Sequence, residues 1–274
     1  MRMIKLITLL LLVSSYAEAY TFNNNFEAAF KSNKVTVTID ELTTCANAGM
    51  TVYELRDLIE PAINKFWNRI PTTNLRLKDG GFSEPLTNVN TGRLCAPTDE
   101  ACITAAGGTV IAPAHEIVIA CNNQALNFGG ANVLAVTIPN NFSGKSIAGA
   151  IILINESSTI FTTLDKAGKI AVLAHEIGHA IGLGHTDSTS ALMYYKTVTK
   201  RKALGEDDMR GVSYLYPMQI DAFGLLGGCA TIQNKDGTPG APLPFWQMGG
   251  ALGLMILLSE LYRLLKRSNT RSAT

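Results

Sequence analysis

The chain has 274 residues, 47% hydrophobic and 16% charged, and a net charge of +1 at pH 7. A balance so near neutral lacks the basic footprint that a phosphate backbone requires, so no nucleic-acid partner is expected. With two apolar ends set aside, about 200 residues remain, enough for one well-buried core.

Residues 1–19 read as a secretory leader. Arg2 and Lys5 give the positive start, Leu6 to Val13 the short apolar run, and Ala17-Glu18-Ala19 the small-x-small cleavage pattern. That run is too short to span a bilayer, so an exported chain starting near Tyr20 is expected, with disulfides allowed. Lys34 to Ile39 alternates and predicts a strand. Tyr53 to Ile70 predicts a helix, with apolar Leu55, Leu58, Ile59, Ile63, Phe66 and Trp67, an N-cap at Thr51, a capping-box Glu54 and a kink at Pro61. Leu75–Leu77, Thr109–Cys121, Val133–Ile138 and Ile147–Ile154 read as further strands. The expected fold is α+β, a mixed twisted sheet with two main helices and a third near residue 210, within a domain at 20–222.

Four of the five cysteines, Cys45, Cys95, Cys102 and Cys121, fall in this domain and allow three pairings. Cys95 with Cys102 closes the shortest loop and would leave Cys45 for Cys121. Cys229 is the odd one out.

The most informative run is His175-Glu176-Ile177-Gly178-His179-Ala180-Ile181-Gly182-Leu183-Gly184-His185, which holds three of the chain's four histidines. Apolar Ile170 to Ala174 lead into it as a buried helix. On that helix His175 and His179 are one turn apart on one face, the spacing at which two imidazoles share a zinc ion. Glu176 sits beside them, where a carboxylate can take a proton from water and return it to a leaving amine. Gly182 permits the left-handed turn that ends the helix and brings His185 back as a third ligand. Three imidazoles leave a fourth position open, which is the layout of a catalytic rather than a structural zinc site. His115, beside Glu116, is the remaining histidine; a structural or solvent-facing residue is the better reading of it than a second metal site.

This pattern, H-E-x-x-H-x-x-G-x-x-H, resembles that of the metzincin metallopeptidases, and within them it is closest to the matrixins. Ala191-Leu192-Met193-Tyr194 is similar to the matrixin Met-turn, and Gly205 to Pro217 to the last helix of that family. The resemblance implies a zinc endopeptidase acting on protein or peptide, with Met193 beneath the metal and an edge strand at Val133 to Pro139 lining the cleft. It also implies structural Ca2+ as an option, although Asp187, Asp207 and Asp208 lack the spacing of a calcium loop. The chain departs from the family in two ways. No blocking-cysteine motif precedes the domain, and Tyr195 follows Tyr194 where proline is common. Tyr195 occupies a place where other metzincin families carry a tyrosine that resembles an oxyanion donor; the alternative is a packing residue in the cleft wall. Two other functional readings are a non-cleaving surface adhesin, against which Glu176 counts, and a hydrolase of cell-wall peptide crosslinks.

Beyond the domain, 223–242 read as a Gly- and Pro-rich linker containing Gly227-Gly228-Cys229. Residues 243–267 read as a hydrophobic tail helix, uncharged from Leu243 to Ser259, with a basic end to residue 274. This order resembles the C-terminal sorting tags of bacterial surface proteins, with Cys229 at the anchoring or processing point. The expectation is a domain held at the outer surface by a membrane helix or by sorting machinery, its basic end inside.

Overall fold

A computed structural model describes residues 20–23, 27–196 and 198–218. The chain divides after residue 219, and the second unit, 220–274, lies outside the described residues. The leader, Cys229 and the apolar tail therefore all lie outside them. Among the described residues no helix is long and apolar enough to cross a membrane.

Six strands form one sheet: β1 (Ala29–Phe30), β2 (Lys34–Asp40), β3 (Arg76–Ser83), β4 (Glu116–Asn122), β5 (Ala135–Ser143) and β6 (Ser146–Asn155). The order is β1-β6-β4-β2-β3 with parallel pairing throughout, and β5 pairs antiparallel with β6. β4 and β6 are apolar on both faces, as parallel strands covered on both sides must be. Their period of two divides the core. Ile152 and Ile154 join the helix-side cluster with Ile117, Ile119 and Cys121, while Ile151 and Leu153 join a smaller cluster with Ala120, Val89, Leu94 and Phe128.

The helices are α1 (Val52–Lys65), α2 (Glu100–Ala106), α3 (Thr159–Thr163), α4 (Lys166–Ala180) and α5 (Glu206–Leu215). The Thr51–Glu54 capping box forms at the start of α1, with Glu54 N–H donating to Thr51 Oγ1 at 3.1 Å and Thr51 N–H to Glu54 Oε2 at 2.7 Å. Pro61 lies inside α1 without ending it. The helix stops at Lys65 rather than near Ile70, because Phe66 leaves helical geometry and Trp67–Arg69 form a tighter 3-10 turn. That turn lets the Trp67 indole donate to the Ala174 carbonyl at 2.9 Å, which ties α1 to the helix bearing the histidines.

Three other elements differ from what the sequence suggested. The strand expected at Thr109–Cys121 begins only at Glu116. Gly107 and Gly108, at φ +70° and +132°, and the left-handed His115, at φ +65°, keep the intervening chain irregular. His115 is exposed in that turn, and the His175–His179–His185 group is the one candidate metal cluster among the described residues. Helix α2 has no counterpart in the sequence reading, although Asp99 caps it by accepting from the Cys102 N–H at 2.9 Å. Strand β3 runs on through Gly80 and Gly81, residues that hide a strand signal. The cysteines pair as Cys45–Cys121 and Cys95–Cys102.

Candidate metal centre

Helix α4 starts at Asp165, whose carboxylate accepts from the Gly168 N–H at 2.7 Å. Its apolar residues are buried nearly all round, so it passes through the core and carries His175, Glu176 and His179 to the cleft. After Ala180 the Gly182 and Leu183 N–H groups bond back to the His179 and Gly178 carbonyls, both at 3.0 Å, and Gly182 adopts φ +108°. The chain then reverses and presents His185.

The three Nε2 atoms converge. His175 to His179 is 3.2 Å, His179 to His185 is 3.2 Å, and His175 to His185 is 3.3 Å. Ligands of a tetrahedral zinc ion at about 2.0–2.1 Å are about 3.3–3.4 Å apart, so the triangle is of zinc size. His175 Nδ1 lies 2.8 Å from the Leu192 carbonyl, and His179 Nδ1 lies 2.8 Å from the Leu183 carbonyl. A carbonyl only accepts, so each Nδ1 carries the hydrogen and each Nε2 turns a lone pair to the centre. Burial pushes the His179 imidazole well below its usual pKa and lowers that of His185, which favours the neutral, ligating form.

Glu176 is buried beside the triad. Thr137 Oγ1, on β5, donates to its Oε2 at 2.6 Å. Burial pushes the carboxyl up, against the opposing pull of His175 and the Thr137 bond.

Met193 is buried against Gly178 of α4, where a Cβ would overlap Met193 Sδ and lie 2.8 Å from the Trp67 ring. The Met193 turn is held by Asp208, at the start of α5. Its carboxylate accepts from the N–H groups of Leu192 at 2.6 Å, Met193 at 3.0 Å and Gly205 at 2.7 Å. Asp208→Ala leaves those buried donors unpaired. We expect it to lose about 3 kcal/mol of stability, read from denaturant unfolding; a loss under about 1 kcal/mol would contradict this anchoring.

A second brace comes from the other end of the domain. Phe22 bridges to Leu183, Asn23 N–H donates to the Gly182 carbonyl at 2.9 Å, and Gly184 N–H donates to the Thr21 carbonyl at 2.8 Å. Asn23 Nδ2 bonds the His179 carbonyl at 3.1 Å, and the Thr21 hydroxyl bonds that of His185. Thr137, the anchoring role of Asp208 and this segment carry no local sequence signal, because their partners at the site lie 15 to 164 positions away.

The triad and Glu176 open onto a cleft of about 930 Å³. Residues 132–137, at the start of β5, form one wall, and β5 pairs only with β6 among the described residues. Tyr195 is half-exposed in the same cleft, with Lys196 Nζ 4.8 Å from its ring centre.

A helix bearing two histidines and a glutamate, a glycine turn returning a third histidine and a buried methionine turn together resemble a metzincin centre. Residues 122–217 match the family model described as Matrixin. The chain is 35% identical over 83 residues to metalloendoproteinase 2-MMP of Arabidopsis thaliana, covering 30% of this chain and 22% of that protein. It is 50% identical over 46 residues to matrix metalloproteinase-9 of Canis lupus familiaris, covering 16% and 6%. It is 45% identical over 51 residues to stromelysin-1 of Equus caballus, covering 17% and 11%. The chain is thus related to the matrixins over the segment that carries the site, and it spans less than a quarter of the length of these relatives. That relation implies zinc, and the triad's spacing and tautomers fit it.

Proposed function

We propose that the chain is an exported zinc-dependent endopeptidase, tethered at the outer surface through its C-terminal tail. The observation that supports this best is the zinc-sized triangle of Nε2 atoms beside a buried carboxylate, in a cleft walled by an edge strand. His175, His179 and His185 hold the metal. Zinc so held supplies Lewis acidity to a peptide carbonyl and lowers the pKa of water. Glu176 removes the proton from the attacking water and delivers it to the leaving amine. The open side of β5 receives an extended substrate by main-chain pairing. Met193 packs beneath the helix without touching substrate, and Tyr195 forms part of the cleft wall.

The test is incubation of the zinc-loaded full chain with a mixture of denatured proteins, with new amino termini mapped by mass spectrometry. Internal cuts abolished by a chelator and restored by zinc are expected. Cuts that persist in the chelator, or none from a folded chain carrying one zinc, would overturn the reading.

A further inference from the structure

Strand β5 turns alternate residues to opposite sides of the sheet. Val136 and Ile138 face the smaller cluster, while Ala135 faces the helix-side core. Thr137 shares the face of Ala135, so its hydroxyl points toward α4. There it lies 2.6 Å from Glu176 Oε2 and 3.1 Å from the Glu176 carbonyl oxygen. Among the described residues no other group hydrogen-bonds to that carboxylate. A buried glutamate side chain has three free torsions, and one short charge-assisted bond can hold it in a single orientation.

We propose that Thr137 is the positioning residue for Glu176: it holds Oε2 and so fixes the carboxylate beside the three histidines. This rests on the peptidase reading of the site. The same residue lies in the stretch of β5 that lines the cleft. The strand that seats the substrate and the base that activates water are therefore joined by one hydrogen bond. A β-former that merely ties sheet to helix would need no hydroxyl here, and valine would serve as well.

The test compares the full chain with Thr137→Val, which keeps the shape and removes the hydroxyl, and Thr137→Ser, which keeps the hydroxyl. Turnover of a fluorogenic peptide built on a mapped cut site gives kcat and KM. Metal content and thermal midpoint are measured alongside. The cobalt-loaded proteins are titrated with acetohydroxamate by visible absorbance, which reports on the groups around the metal and needs no turnover. Thr137→Val should lower kcat about tenfold and weaken acetohydroxamate about tenfold, with KM within about twofold and one metal per chain. Thr137→Ser should return both to within about threefold of wild type. Wild-type kcat and acetohydroxamate affinity in Thr137→Val, equal losses in Thr137→Ser, or losses that track missing metal would each overturn the assignment. A wild-type chain that cuts nothing would refute the peptidase reading, and the acetohydroxamate comparison would still decide the role of Thr137.

Discussion

Glu176→Ala is expected to lower kcat by about a thousandfold while the chain still binds one zinc ion. The carboxylate is not part of the Nε2 triangle, whose three members stand 3.2–3.3 Å apart, so its loss leaves the ligand set whole. In the proposed mechanism, only the group that would accept the proton of the attacking water disappears. Truncation also removes a buried carboxyl that burial makes costly to ionise, so the fold should lose little. Parallel assays of peptide turnover and bound zinc check this. Retention of more than about a tenth of wild-type kcat would exclude Glu176 as the base.

Gly182→Ala should do comparable damage by another route. Gly182 sits at φ +108°, and a Cβ there would overlap the Ala28 carbonyl oxygen and lie 3.1 Å from Leu215 Cδ1. The first obstacle is backbone, which cannot swing aside as a side chain can. The turn that returns His185 must then shift, and the N-terminal brace on Gly182 and Gly184 shifts with it. We expect a loss of about 3 kcal/mol or more in stability, together with weakened zinc binding. Gly129→Ala is the control: that residue is exposed with open space around it, and its change should stay within about 0.5 kcal/mol. Denaturant unfolding with and without zinc measures both; equal midpoints for the two variants would contradict the account.

The convergence of the three histidines was legible because their spacing is local. His175, Glu176 and His179 share one helical turn, and Gly182 and His185 follow within six residues, so spacing alone orients the ligands. A turn at Met193 was expected through resemblance, and the chain turns there with Met193 buried. What stayed hidden was carried by long-range contacts made by ordinary residues. Thr137 reads as a β-former in an alternating strand, and nothing local reveals that Glu176 lies across from it. Asp208 is already accounted for as an anion at a helix start, which conceals its three bonds to the Met193 turn and Gly205. Thr21 and Asn23 contact a turn some 160 positions away, and so short a segment has no periodicity to read. At 109–115 the opposite error arose: the apolar Val110, Ile111 and Ala112 suggested a strand that the backbone at Gly107, Gly108 and His115 does not permit. The cysteine pairs were among three arithmetic options, and the Cys45–Cys121 bridge depends on sheet and loop being brought together over 76 residues.

The most direct test is a zinc titration of the metal-free full chain, followed at each step by bound metal and by cleavage of a denatured protein. Activity that rises in proportion to zinc and saturates at one ion per chain is the predicted result. Full activity in the metal-free chain, or none at one bound zinc in the folded protein, would contradict a peptidase built on His175, His179 and His185.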